Sequence, residues 1–455
     1  VKKLLEPESV AVIGASRNPR SVGYGVLQSL VRGSVLHSPY ARGFNGRIYA
    51  VNPNAKKILG QKCYASVLDV KGKVDLAVVC VPAKIVPFVL RECAQKKVGA
   101  VAVLSAGFAE LGEKGKRMQK EIVDIAEKGG FPLLGPNCLG VISPHSDLNA
   151  SFGATMPPKG GIAFVTQSGA LADSIIDWAL EEVYAFSHIV SLGNMAALGP
   201  EQFVEWFASD PKTRVVALYL EGFKDARAFM RAVKKAVRSG KRVLVLKGGQ
   251  SSAGSRAASS HTASMAGSYE VFQAAMRQSG ALVVDSLEEL FKYSKALSEQ
   301  PRAKKNAVAV ITNGGGAGVL CADYCQRYGV NLVKLKESTL KKLDPFLHKA
   351  YSRANPLDII GDALPEQYEK AIGVVAAEPY VHGVIVIQTL QTMTDTVKDA
   401  KAVIRASKKH SKKPFVTVFM GGHYSKPGKQ LLHKAGVPDY NDPKTAAKAM
   451  SILVP

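Results

Sequence analysis

Short apolar runs that stop at glycine or a small polar residue recur along the chain, separated by charged, helix-favouring stretches. The first is Val-Ala-Val-Ile-Gly at 10–14. Others follow at 47–51, 76–81, 100–104 and 132–134, and 114–128 is one of the charged intervals. These runs lack the polar alternation of a sheet wetted on one face, so they predict strands buried on both faces in a parallel, helix-covered sheet. The rhythm restarts at 161–166 and continues at 187–191, 215–220, 243–246 and 282–284. After the polar stretch 298–306 it begins again at 307–312, then 384–388 and 415–419. The pattern predicts an α/β chain of three consecutive open parallel-sheet domains, 1–150, 151–302 and 303–455.

Composition narrows the function classes. The chain has 455 residues, 47% hydrophobic and 21% charged, enough to bury several cores. No apolar stretch approaches 18 residues, so no membrane span is expected. Acid and proline follow Leu5 at once, which predicts no signal peptide and a cytoplasmic location. The six cysteines form no CxxC pair, and Cys321 and Cys325 are spaced as neighbours on a helix. They read as reduced thiols, not as a disulfide framework or a zinc site. Net charge is +23, carried mainly by the first and last thirds. No dense basic run is interleaved with aromatics, so the charge suits anionic cofactors, phosphate chemistry or solvated helix faces better than nucleic acid. His145, His188 and His382 show no paired carboxylate and no second histidine four residues on, so no metal site is predicted. Gln167-Ser168-Gly169 lacks the G-x-S-x-G elbow of a serine hydrolase.

Candidate chemistry lies where strands run into glycine turns. The first strand enters Gly14-Ala15-Ser16-Arg17, and a helix follows; free backbone N–H groups and the helix dipole suit a phosphate there. The spacing is not G-x-G-x-x-G. The second strand ends in Asn52-Pro53-Asn54, with Lys56 and Lys57 after it, where an NAD site wants an acid. A cationic neighbourhood favours a nucleotide bearing an extra phosphate, NADP or coenzyme A; a plain turn is the alternative. Strand 161–166 enters Gln167-Ser168-Gly169, and strand 307–312 enters Asn313-Gly314-Gly315-Gly316-Ala317-Gly318, each predicting an anion site at a helix start or else a tight turn. In residues 248–264 only Gln250, Arg256 and His261 carry large side chains. Such a segment anchors poorly in a core, and reads either as a linker with an incidental histidine or as a docking loop at the ligand edge of the sheet.

The later turns carry a resemblance. Cys80-Val81-Pro82-Ala83, Ser105-Ala106-Gly107-Phe108 and Gly135-Pro136-Asn137-Cys138-Leu139-Gly140 resemble, in order and spacing, the CoA-binding domain of the succinyl-CoA synthetase superfamily, the nucleoside-diphosphate-forming acyl-CoA synthetases. The resemblance implies a Rossmann-type CoA-binding domain followed by two flavodoxin-like ligase domains. It assigns Gly14, Ser16, Arg17, Asn52 and Lys56 to the phosphates, adenine and ribose of CoA, and Val81, Pro82, Ser105, Gly107 and Asn137 to pantetheine and thiol. Lys-Gly-Gly followed by a Ser/Ala-rich stretch ending in Ser-His-Thr-Ala matches the family's phosphohistidine loop, which makes His261 the phosphate-carrying nucleophile. Neutral imidazole suits that task. Glu221 aligns with the family's histidine-orienting glutamate, although alone it reads as a loop charge. The turns at Gln167, Ser168 and Gly169 and at Gly314, Gly315 and Gly316 become the phosphate clamp. Asp358, in Asn355-Pro356-Leu357-Asp358, fits the third domain's pattern.

The domain order resembles that of the alpha subunits of ADP-forming acyl-CoA (acetyl-CoA) synthetases. The implied reaction is acyl-CoA, ADP and inorganic phosphate giving carboxylate, ATP and CoA, by way of an acyl phosphate and a swinging histidine loop. No segment resembles an ATP-grasp unit and no Walker A pattern appears. ADP/ATP with Mg²⁺ is therefore expected mainly on a separate ATP-grasp beta subunit, in an α2β2 assembly, with a small carboxylic acid as substrate. Two other classes stand beside this one: a non-catalytic CoA-binding regulator of the same fold, and an NADP-linked dehydrogenase.

Overall fold

The computed structural model describes residues 1–254, 256 and 268–455. The chain forms two compact units, Val1–Phe291 and Lys292–Pro455. The first strands are β1 (Ser9–Ile13), β2 (Arg47–Val51), β3 (Lys57–Ile58), β4 (Gln61–Tyr64), β5 (Leu76–Val79), β6 (Ala100–Val103) and β7 (Leu133–Leu134). They make a sheet ordered β3-β4-β2-β1-β5-β6-β7, parallel except for the short β3–β4 pair. Every residue of β1, β5 and β6 is buried, because helices cover both faces. Chain order reverses at β1, so the turns after β1 and β5 open on one crevice at the carboxyl edge.

The second sheet holds β8 (Gly140–Ser143), β9 (Leu148–Ser151), β10 (Lys159–Thr166), β11 (Phe186–Ser191), β12 (Val215–Leu220), β13 (Arg242–Lys247) and β14 (Leu282–Val284), in the order β14-β13-β12-β10-β11-β8-β9. Its body is parallel. The β8–β9 hairpin adds an antiparallel edge to β11, which the apolar pattern does not foretell. Helix Ala226–Arg238 shows how the covering layer forms. Asp225 caps it by accepting from Ala228 N–H at 2.8 Å, Phe229, Ala232, Val233 and Ala236 face inward, and its basic residues face water. One apolar cluster runs without a break from Val10 and Val12 through Val141 and Leu148 to Phe203, Phe207 and Leu218. That shared core is why residues 1–291 hold together as one unit.

In the second unit β15 (Val308–Thr312), β16 (Leu357–Asp358), β17 (Gly383–Thr389) and β18 (Phe415–Met420) form a parallel sheet ordered β16-β15-β17-β18. Its core includes Ile311, Leu357, Tyr368, Val386 and Phe415. No helix among the described residues is long and apolar enough to cross a membrane.

Candidate functional site

Residues at the carboxyl edge of the first sheet fasten one another. Gly14 has φ +93°, and a Cβ there would meet Val81 Cγ1 at 2.9 Å. A Cβ on Gly23 would stand 2.0 Å from Gly14 O, so the helix Val22–Arg32 rests directly on the turn. Asn52, at the end of β2, donates to Ala15 O at 2.6 Å and accepts from Asn54 N–H at 2.8 Å, while Arg17 donates to Asn54 O at 3.4 Å. Ser16 accepts from Asn18 N–H at 3.0 Å. Ser105 donates to Val81 O at 2.5 Å, and Asn137 N–H donates to Ser105 O at 3.0 Å. Gly14, Ser16, Arg17, Asn52, Val81, Ser105 and Asn137 thus form one connected edge. Arg17, Lys56 and Pro82 are exposed beside it, and Gly107 is half-buried with φ +110°. Arg17 and Lys56 hold their positive charge outward, where an anion would approach.

The second sheet builds a different site at its own carboxyl edge. β10 ends in Thr166-Gln167-Ser168, and helix Gly169–Glu182 starts behind it. Thr166 Oγ1 accepts from Ser168 N–H at 3.0 Å and donates to Ser168 O at 3.1 Å, and Ser168 caps the helix through Leu171 N–H. Gln167 is 6% exposed. Its Oε1 accepts from Glu221 N–H, and from Gly222 N–H at 3.1 Å. This single side chain therefore seats Glu221, which is 7% exposed at the end of β12. Tyr219 Oη lies 3.4 Å from Glu221 Oε1, and burial together with that carboxylate pushes the phenol up to about 12. Lys247 closes the other side, donating to Glu221 O at 2.7 Å and to Gly248 O; burial lowers its pKa, against the pull of Glu221. A cavity of about 240 Å³ borders Glu221, with walls from Phe223, Phe229, Met230, Phe272 and Lys247. His261 lies outside the described residues.

The second unit repeats the local design. Thr312 Oγ1 accepts from Gly314 N–H at 3.0 Å and donates to Gly314 O at 3.1 Å, and helix Gly315–Arg327 follows. Asn313 stands where Gln167 does, and its Oδ1 accepts from Thr389 N–H at 2.7 Å. A Cβ on Gly314 would strike Thr389 Cγ2 at 2.6 Å, so close approach favours glycine there, and one on Gly315 would meet Asp358 Oδ2 at 2.8 Å and push that side chain aside. Gly316 has open space around it. Two turns of one construction, each leaving N–H groups at a helix start, are suited to oxyanions.

Sequence reasoning gives His188 no carboxylate partner, and here the structure differs. His188 is fully buried; its Nδ1 is 2.8 Å from Ser143 Oγ and its Nε2 is 3.3 Å from Asp210 Oδ2. Burial raises the Asp210 pKa, but the His188 and Thr213 hydrogen bonds outweigh it and hold the carboxyl at about 2. The group is sealed from solvent and serves the interior. The positioning roles of Gln167, Lys247 and Asn313 are also new. Aligning Thr166-Gln167-Ser168-Gly169 with Thr312-Asn313-Gly314-Gly315 is the signal that could have found two of them.

Comparison with known proteins bears on both edges. Residues 8–144 match a CoA binding domain, residues 159–297 a succinyl-CoA ligase like flavodoxin domain, and residues 308–454 a ligase-CoA domain. The chain is 40% identical, over its full length, to acetate–CoA ligase [ADP-forming] I of Archaeoglobus fulgidus, and spans 63% of that longer protein. It is also 40% identical to the alpha subunit of acetate–CoA ligase [ADP-forming] II of Pyrococcus furiosus, over 98% of this chain and 96% of that one. The solved dinucleotide-forming acetyl-coenzyme A synthetase 1 of Ca. Korarchaeum cryptofilum, in complex with phosphate and ADP, superposes with a TM-score of 0.93. The identity is 35%, over 99% of this chain and 96% of that one.

Proposed function

Since the chain belongs to the ADP-forming acetate–CoA ligase family, on its alpha-subunit side, we propose that it converts acyl-CoA, ADP and inorganic phosphate into a carboxylate, ATP and CoA. The observation that carries this reading is the seating of Glu221. Gln167 Oε1 holds the backbone N–H of buried Glu221 beside an N–H-presenting turn, in the same unit as the CoA-side edge. CoA lies along that edge, with its phosphates and adenine at Gly14, Ser16, Arg17, Asn52 and Lys56. Its pantetheine and thiol lie at Val81, Pro82, Ser105, Gly107 and Asn137.

Phosphate attacks the thioester carbonyl, the C–S bond breaks, and CoA leaves as the thiolate with an acyl phosphate remaining. A ring nitrogen of His261 then attacks phosphorus while the carboxylate departs. Glu221 accepts a hydrogen bond from the other ring nitrogen, orienting the imidazole and offsetting its charge. The helix start at Ser168 and Gly169 offers free N–H groups to phosphate oxygens, and the turn at Gly314, Gly315 and Gly316 is an oxyanion site of the second unit. ADP with Mg²⁺ on a separate ATP-grasp beta subunit takes the phosphoryl group from the carrier loop, in an α2β2 assembly. The proposed domains are 1–150, 151–302 and 303–455, although the β8–β9 edge of the second sheet already begins at Gly140; a cytoplasmic location is proposed from the use of ADP and CoA.

Two measurements test this. Calorimetry on the purified chain gives CoA binding tighter than NADP binding, and ATP forms from acetyl-CoA, ADP and phosphate only once the partner chain is added. Tight NADP binding without CoA binding overturns the reading; ATP formation by the chain alone overturns the partner. Glu221→Gln keeps the shape and removes the charge, so kcat falls about 100-fold with KM for acyl-CoA unchanged.

A further inference from the structure

One chain of hydrogen bonds leads from the thiol-side turn to Glu221, and its centre is a residue to which the preceding reading gives no role. Glu110 Oε1 accepts from Gly107 N–H at 2.6 Å and Phe108 N–H at 3.1 Å, while its Oε2 accepts from Asn194 Nδ2 at 2.6 Å. Asn194 Nδ2 also donates to Gln119 Oε1 at 3.0 Å, and Asn194 Oδ1 accepts from Asn137 Nδ2 at 3.2 Å. The side-chain amide is therefore engaged at both ends. The backbone seals the same seam: Asn194 N–H donates to Pro136 O at 2.9 Å, and Ala196 N–H to Gly135 O at 2.9 Å.

The next residue carries the connection onward. Met195 is 6% exposed and has φ +51°, a left-handed conformation that residues with side chains rarely adopt. Its Sδ accepts from Gln167 Nε2 at 3.3 Å, and Gln167 Oε1 holds the backbone of Glu221 and Gly222. The strain sits at a link between the two edges, where a relaxed backbone would withdraw the sulfur from Gln167.

We propose that Asn194 is a positioning residue that sets the separation between the thiol-side turn at Gly107 and Asn137 and the Gln167–Glu221 pair. This rests on the functional reading above. In that reading the thioester carbonyl and the phosphoryl acceptor must meet within reacting distance, and a misplacement of about 1 Å costs roughly 100-fold in rate. Asn194 suits the task chemically, since its amide donates to Glu110 and accepts from Asn137 at once, which aspartate cannot do.

The experiment uses the complete enzyme with its partner chain. Radioactive phosphoryl label is loaded from ATP, and its discharge by CoA plus carboxylic acid is followed. In Asn194→Ala, loading stays within about twofold of wild type, KM for CoA stays within about threefold, and discharge slows about 100-fold. Asn194→Asp sets a carboxylate against Glu110 and slows discharge likewise. In the double variant Asn194→Asp with Glu110→Gln, donor and acceptor are exchanged, and discharge recovers to within about tenfold of wild type. Normal discharge in Asn194→Ala overturns the proposal. So does a parallel fall in loading and melting temperature, the mark of a merely structural residue, and so does a double variant no better than the single. A wild-type enzyme that takes no label at all rejects the functional reading itself.

Discussion

Replacing His261 by alanine abolishes the acid-labile phosphoryl label on this chain and lowers ATP formation by at least about 10⁴-fold. The size follows from the chemistry. In the proposed mechanism the acyl phosphate and the nucleotide occupy separate sites, so the phosphoryl group is carried covalently, and removing the nucleophile leaves no carrier in its place. A phosphoramidate is stable to base and labile to acid, which separates it from a phosphoserine formed in the same Ser-rich stretch. His423→Ala is the matched control. That side chain is exposed in the second unit, stacked edge-on against Tyr424 at 5.0 Å, and it retains full label. Label persisting in the His261 variant ends the mechanism, because Glu221 would then have nothing to orient.

Asp399→Asn makes the chain more stable at pH 8 by on the order of 4 kcal/mol and removes a fall in stability that wild type shows between about pH 4 and pH 7. Asp399 lies on helix Thr396–Lys409 and is 1% exposed. Gln388, at the end of β17, donates its Nε2 to Asp399 Oδ2. Asp399 Oδ1 and Gln388 Oε1 are both buried and have no hydrogen-bond partner among the described residues. Both are satisfied together if the carboxyl is protonated, its O–H donating back to the amide oxygen in a closed pair. Burial raises the Asp399 pKa to about 7, with Asp395 and Glu366 adding to the rise and the Gln388 bond opposing it.

The sign follows from proton counts. Between the unfolded pKa near 4 and the folded value the native state binds more protons, so stability is fully present below the unfolded pKa and is lost as pH rises through 7. Asparagine supplies the N–H permanently. The check is urea unfolding of both proteins at pH 5 and pH 8: the difference between them is small at the lower pH and large at the higher. A difference that does not change with pH removes the protonated pair. The effect reaches the proposed oxyanion turn, since Thr389, the next residue, is bonded to Asn313, which precedes Gly314–Gly316.

The strands that carry sites were readable because a strand buried on both faces needs continuous apolar residues, and those runs end where the chain must turn over glycine or a small polar group. Hence β1, β2, β5, β6, β10, β12, β15, β17 and β18 stand out within a residue or two. The pieces that escaped are short edges: β3 and β4, the β8–β9 hairpin, and β16 with its two residues. Their pairing is set by a neighbour's free edge, and runs of two to four residues such as Gly-Val-Ile-Ser or Leu-Asn-Ala-Ser are too short to distinguish strand from loop.

For the site, residue types at strand ends were legible, and so was the family whose motifs they share. What the side chains hold was not. Asp399 reads as an ordinary acid in a helix's first turn, favoured by the dipole, yet the packed sheet turns it inward onto Gln388. Gln167 is predicted at a phosphate turn, and the structure adds that its side-chain oxygen holds a backbone N–H 54 residues away. His188 finds Asp210, and Asn194 finds Glu110. The order of strands, turns and anion-friendly glycines was written in the chain, because backbone conformation and burial are local demands on residue type. Which polar group answers which was decided only on packing, because a buried hydrogen bond is specified by where two distant segments come to rest, and no single segment encodes that position.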